Sequence, residues 1–220
     1  MRIATVVLTA PRPKETLART LKSLQAAGWA DCHGLPSAIG VYHDRVLSGH
    51  FRAYMEALRY AVHRDPRADA YFVVEDDVVF CPGLRRYLQR TLWPGPLEKT
   101  ALCSPYCPKA YRQDKRGWSD AQSNRGFYLA GSQAWIFPPN AARTILAEVA
   151  PLESVRNADW EIGKWAEATG RKVWYHTPSL AQHIGLGNST LGDDSATDIR
   201  LAADFIGEDE DATGEPANLP

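Results

Sequence analysis

The stretch that most constrains this chain is YFVVEDDVVF, Tyr71 to Phe80. Apolar, β-branched and aromatic residues lead into three consecutive carboxylates, Glu75, Asp76 and Asp77, and Val78, Val79 and Phe80 follow. A continuous apolar run of this length reads as a strand covered on both faces, the kind found inside a parallel or mixed sheet. The three charges then fall where a central strand emerges at its C-terminal end, which is where open α/β sheets hold their ligands. Adjacent carboxylates at a buried strand end repel one another and are costly to desolvate, so a cation is expected beside them. Mn²⁺ or Mg²⁺ carrying phosphate oxygens suits these donors. A solvated acidic turn is the plain alternative.

The chain before this stretch sets it in a sheet. Ile3 to Thr9 reads as a first strand stopped by Pro11 and Pro13, and Leu17, Leu21 and Leu24 mark one face of a helix that Gly28 ends. A short strand from Ala38 to His43 follows, then a helix carrying Phe51, Tyr54, Met55, Leu58 and Val62 at helical spacing and closed by Asp65-Pro66. The order β-α-β-α-β predicts a parallel sheet. Polar clusters at the three strand ends, Thr9 to Arg12, His43 to Arg45 and Glu75 to Asp77, would converge on one rim and make a nucleotide-sized site.

Beyond it, a helix is expected from Pro82 to about Leu92, and regular signals thin out from Trp93 to Arg125. Within that region Lys109 to Arg125 holds five basic residues against two acidic ones. It reads as a solvated loop or a substrate-covering lid. Gly126 to Pro138 reads as two short strands meeting near Gly131 and Ser132, with a helix from Pro139 to about Val149. Another helix begins near Asp159, a late strand spans Lys172 to His176, and the polar, glycine-rich Pro178 to Thr190 follows. One domain over 1–206 and an acidic, disordered tail over 207–220 are expected.

Composition narrows the function classes. Among 220 residues, 25 basic against 26 acidic ones offer no overall electrostatic case for a nucleic-acid binder. Five of the acidic residues lie beyond Ile206, so the body is mildly basic, which suits an anionic substrate. The apolar start is too short for a signal peptide or membrane span, and no transmembrane segment follows; a cytoplasmic location is expected. The four cysteines, Cys32, Cys81, Cys103 and Cys107, do not make a zinc pattern and read as free, packing thiols. There is no P-loop and no Gly-x-Ser-x-Gly elbow, and GLGNST lies too late in the chain to be a dinucleotide fingerprint.

Taken in order, the TAPRP turn after the first strand, the Glu-Asp-Asp at the third, GSQAWIFP ahead of an acidic DWE helix start, and PSLAQHIG near the end give a resemblance. The chain resembles the GT-A glycosyltransferases, nucleotide-sugar-dependent enzymes with a Rossmann-like mixed, mostly parallel sheet flanked by helices. It is most similar to the inverting, N-acetylglucosaminyltransferase-like members, is much shorter, and is expected to lack their anchor. The similarity spans roughly Ile3 to Thr190.

The resemblance implies roles. Asp77, last of a DXD-type triplet, would bind Mn²⁺ or Mg²⁺ and through it the diphosphate of a nucleotide sugar, a UDP-sugar in the first instance. Asp76 would contact the ribose or the metal shell, and Glu75 would meet the sugar or support the strand end. Asp44 would recognise the base, with Thr9 and Arg12 completing the pocket; an ordinary turn is the alternative for these three. Gly131 and Ser132 would also belong to the nucleotide-sugar-binding residues. Asp159 would be the general base and Glu161 its substitute, although Asp at a helix start also reads as an N-cap. His183 would be a metal ligand or diphosphate contact, or a satisfied structural histidine. The acceptor is a hydroxyl of a glycan, a lipid-linked sugar, a protein or a modified DNA base. A sugar-nucleotide nucleotidyltransferase and a non-catalytic glycan- or nucleotide-binding module are the competing functions.

Overall fold

The computed structural model describes residues 1–29, 39–121, 129–185, 201–202 and 204–212. Strand β1 (Ile3–Thr9) lies between β2 (Ile39–His43) and β3 (Ala70–Glu75), parallel to both. The sheet continues through β7 (Ala134–Phe137), β5 (Thr100–Ser104), β8 (Lys172–Thr177) and β6 (Gly117–Asp120), in the order β2-β1-β3-β7-β5-β8-β6. Only β7 and β6 run against the rest. The architecture is therefore the mixed, mostly parallel α/β sheet that the sequence predicts.

Helices cover both faces. Helices α2 (His50–Arg64), α4 (Pro139–Glu148) and α5 (Ala158–Ala168) lie on one side, α1 (Leu17–Leu24) and α3 (Leu84–Thr91) on the other. Strand β3 shows why its sequence is unbroken by polar residues: Tyr71 and Val73 join the first layer, Phe72 and Val74 the second. Each such side chain, fully buried, contributes about 1.5–3 kcal/mol of apolar transfer. Tyr54 packs against Trp135 at 4.9 Å in one layer, and Phe72 meets Trp29 and Phe80 at 5.6 and 5.8 Å in the other.

Several elements differ from the sequence reading. The acidic stretch is not one strand. β3 ends at Glu75, Asp76 and Asp77 turn, and β4 (Val78–Phe80) leaves the sheet to pair antiparallel with β9 (Ala181–His183) in a separate ribbon. Helix α1 buries Thr20 and Ser23 beside Leu24, whereas Leu17 and Leu21 are only half-buried. The hydroxyls are inside because β4 needs them. Thr20 Oγ1 donates to the Asp76 carbonyl (2.7 Å) and accepts from Val78 N–H (3.1 Å), and Ser23 Oγ accepts from Phe80 N–H (2.7 Å).

The region from Trp93 to Arg125 contains β5 and edge strand β6, so residues 117–120 belong to the sheet and not to a lid. Between Leu129 and Phe137 there is one strand, β7, while 126–128 fall outside the described residues. Of residues 207–212, which fall in the expected tail, 208–210 are exposed, while Asp211 pairs with Arg86 at 3.3 Å and Ala212 N–H donates to the Pro82 carbonyl at 2.9 Å. Cys81, Cys103 and Cys107 are buried free thiols. Burial pushes Cys81 and Cys107 up to about 12 and raises Cys103 as well, which makes them unreactive packing groups. No helix among the described residues is long and apolar enough to cross a membrane.

Candidate functional site

Parallel pairing of β1 with both neighbours brings three strand ends level. Thr9 stands opposite His43 and Leu8 opposite Glu75, and Asp44 N–H donates to the Thr9 carbonyl at 2.8 Å. The polar clusters expected on one rim therefore meet there. A cleft along this rim is lined by Arg12, Asp44, Gly49, His50 and Glu75, and an adjoining one by Thr9, Arg12, Asp44 and Asp76. The buried Asp44 carboxylate accepts Ser48 N–H at 2.8 Å.

The Asp76–Asp77 turn places two buried carboxylates side by side. Arg12, whose side chain is 8% exposed, reaches both carboxylates, with Nη1 2.6 Å from Asp77 Oδ2 and Nη2 against Asp76 Oδ1. Thr9 Oγ1 donates to Asp76 Oδ2. His183 Nε2, from β9, lies 3.2 Å from Asp77 Oδ2. A guanidinium supplied by the chain therefore stands beside the triplet, with an imidazole next to it. Burial pushes Asp76 up to about 6 against the hydrogen bond from Thr9 and the charge of Arg12. Burial also acts on Asp77, but His183 and then Arg12 outweigh it and hold this carboxyl below its ordinary value. Arg12 itself loses solvation yet is raised by Asp77 and Asp76.

A second cluster adjoins the first through Glu75. Ser132 Oγ donates to Glu75 Oε1, and His50 Nε2 lies 2.8 Å from that hydroxyl and 3.2 Å from the same carboxylate oxygen. The imidazole Nδ1 accepts Ala158 N–H at 3.1 Å, so in the neutral ring the proton sits on Nε2 and points at Ser132 and Glu75. Asp159, at the start of α5, is not its N-cap; Asn157 is. Its Oδ2 accepts Gly131 N–H at 3.4 Å, and burial raises its pKa, with His50 opposing and Glu75 adding to the rise. The buried Tyr175 hydroxyl holds this loop, accepting from Ala130 N–H at 2.8 Å and donating to its carbonyl at 3.1 Å. Glu161 is not brought in: it accepts from Ser154 Oγ at 2.7 Å, two residues round the helix from Asp159.

The structure therefore gathers Thr9, Arg12, Asp76, Asp77 and His183 in one group, and Glu75, Ser132, Gly131 and Asp159 in the next. Sequence reasoning missed His50, which joins them. Its one signal was position: a histidine directly after Gly49 in the loop following the second strand, facing the site at a helix start.

The residues fit a hard divalent cation in part. Asp77 Oδ1 and His183 Nδ1 are buried without a hydrogen-bond partner among the described residues. A Cβ on Gly185 would stand 2.2 Å from Asp77 Oδ2 and 2.9 Å from His183 Nε2, so only glycine lets the backbone approach this pair. One carboxylate and one imidazole suit Mn²⁺ or Mg²⁺ when phosphate oxygens and water complete the shell. The described residues alone supply too few donors, since no group of three His, Cys, Asp or Glu that could hold a metal occurs among them.

No family model matches the chain, and no curated protein matches it in sequence. Among solved structures its backbone is similar to that of A197 from STIV, with a TM-score of 0.49 and 12% identity over 94% of this chain and 97% of that one. It is also similar to a glycosyltransferase involved in the glycosylation of the major capsid of PBCV-1, with a TM-score of 0.46 and 12% identity over 90% and 98%. Such likenesses carry no argument about activity. The geometry of the rim does.

Proposed function

We propose that this protein is a metal-dependent glycosyltransferase that moves a sugar from a nucleotide diphosphate sugar, in the first instance a UDP-sugar, to an acceptor hydroxyl with inversion. The observation that carries the reading is the pairing of Asp77 with His183 at the C-terminal end of β3, 3.2 Å apart and with no room for a side chain on Gly185. That is a half-built cation site on the rim where a phosphate ligand belongs. Asp77 and His183 would hold Mn²⁺ or Mg²⁺, which when bound neutralises the leaving diphosphate. Arg12 keeps Asp76 and Asp77 in place and adds positive charge to the same rim. Asp44, beside the cleft, can accept from the imide N–H of uracil.

The second cluster serves the acceptor. Asp159 takes the proton of the attacking hydroxyl, and a carboxyl raised by burial is better matched to that task near neutral pH than an exposed one. Glu75, held by His50 and Ser132, presents a fixed carboxylate between the two clusters. Ser132, His50 and Glu75 do not form a hydrolytic triad. That arrangement needs the carboxylate on the ring nitrogen opposite the serine, and here Ala158 N–H occupies it.

The test is thermal stability with UDP, GDP, CMP and TDP, each with and without Mn²⁺. A ligand at about 100 times its Kd stabilises by about 2.7 kcal/mol, a shift of roughly 5–10 °C for a chain of this size. A metal-dependent shift with one nucleotide that disappears in Asp77→Ala is expected. No shift with any of them refutes the reading.

A further inference from the structure

The large exposed aliphatic side chains around the site are concentrated on two loops. Val46 and Leu47 (82% and 57% exposed) lie between β2 and α2, and Leu152 and Val155 (58% and 103%) lie between α4 and α5. Each loop also holds a non-glycine residue in the left-handed region, Leu47 at φ 51° and Glu153 at φ 45°. Singly exposed aliphatics are ordinary, but a cluster rimmed by charge marks an interaction surface. Backbone held in this region is a feature that collects at ligand-binding segments.

The two loops border one cleft, lined by Ser48, His50, Arg52, Glu153, Ser154 and Arg156. Gly49 and His50 line both this cleft and the one beside Arg12 and Asp44, so the two meet at the imidazole that contacts Glu75 and Ser132. Arg52 and Arg156 make no ion pair among the described residues; Arg156 lies over the Trp160 ring at 4.4 Å, with Lys164 over the same ring at 5.1 Å. Among the described residues, Glu153 is the one acidic group lining the cleft.

We infer that this face docks on an anionic lipid surface and that the cleft takes its acceptor from it: a lipid bearing a phosphate and a free hydroxyl. The acceptor half of the inference rests on the transferase reading above. Val46 and Val155 stand largely clear of the protein, as tips that enter a fluid interface do, while Arg52 and Arg156 line the cleft with Val155 and supply the positive charge that lipid phosphates attract. A rigid protein partner would need matching hollows for each tip. In the reaction the sugar's anomeric carbon loses its bond to the diphosphate and gains one to the lipid hydroxyl oxygen. The hydroxyl proton goes to Asp159, and the nucleotide diphosphate leaves.

The experiment is vesicle flotation of the full chain with phosphatidylcholine alone and with an equal mixture of phosphatidylcholine and phosphatidylglycerol, at low and high salt. The mixed vesicles are expected to carry the protein at low salt and the neutral ones to leave it behind. Arg52→Ala with Arg156→Ala is expected to lower partitioning about 30-fold, roughly fivefold for each charge. Leu152→Ser with Val155→Ser lowers it as well, and both pairs keep the metal-dependent nucleotide shift. A protein that shows the nucleotide shift but never floats, or that floats equally well in both double variants, overturns this inference and leaves the donor site standing. Flotation lost in both variants, from a protein that answers to no nucleotide, keeps the lipid surface and overturns the transferase reading.

Discussion

Replacing Arg12 by methionine tests the electrostatics of the whole rim. The substitution keeps most of the side-chain volume and removes the Arg12 guanidinium that touches both Asp76 and Asp77, at a site where all three side chains are under a tenth exposed. Removing one partner of a buried ion pair costs about 3–5 kcal/mol, because the remaining charge stays buried. At roughly 2–4 °C per kcal/mol for a chain of this length, the midpoint of thermal unfolding should fall by about 10 °C near neutral pH. The deficit should shrink on acidification. Asp76 is held at about 6 in the folded protein against an ordinary 3.8, so the folded state binds this proton more tightly than the unfolded one. Its contribution becomes more favourable as pH falls from above 6 toward 3.8. Asp77, held below its ordinary value, acts the opposite way, but only once pH drops low enough to protonate it in the unfolded chain. Melts of Arg12→Met near neutral pH and near about pH 5 separate these terms. Added Mn²⁺ should restore part of the loss by placing positive charge beside Asp77. A midpoint that does not move near neutral pH, or a loss of the same size at both pH values, would refute the account.

Three further outcomes follow from the site. Asp159→Asn should lower the transfer rate by about 10²–10⁴ while leaving the metal-dependent nucleotide shift intact. In the unaltered protein the acid limb of the rate profile should lie above the ordinary aspartate range, since the base works only when deprotonated and burial raises its pKa; a flat profile through that region would count against Asp159. His183→Ala should abolish or weaken by at least tenfold the metal dependence of nucleotide binding, read by titrating Mn²⁺ at fixed nucleotide. Gly131→Ala should destabilise the fold by about 1–3 kcal/mol in denaturant melts, because its φ is +74° and the new Cβ would stand 2.4 Å from Gln133 Oε1 and 3.0 Å from a Tyr106 ring carbon.

The fold was legible where packing leaves a local mark. β3 is covered on both faces, so its apolar run is unbroken, and α2 is amphipathic over its whole length. β5 was not legible. Its five residues, Thr100–Ser104, mix small and polar side chains although every one of them is buried. Helix α1 misled for a related reason: its inward threonine and serine serve another strand's backbone, a contact over 50 residues away in sequence. In the site, the meeting of Thr9, Asp44 and Glu75 followed from parallel pairing alone. Arg12 as the partner of both aspartates did not, because a turn residue's direction depends on its neighbours in space. His50 was invisible for the same reason, since its two ring nitrogens find Ala158 and Ser132 from distant parts of the chain.

The hydroxyls of Thr20 and Ser23 stand where the edge of a neighbouring strand would otherwise supply peptide groups to β4. A helix presents side chains at fixed angular intervals, so it works here as a ruler. The spacing of positions 20 and 23 sets the distance between the carbonyl of Asp76 and the amide of Phe80, and so the pitch of the acidic turn. The rule this places on divergence is narrow. Valine at position 20 would match threonine in shape but strand two buried backbone groups, and asparagine would reach too far. Among descendants that keep the turn, these two places on the helix should alternate only between serine and threonine. Their persistence would mark the site even where the carboxylates themselves had drifted.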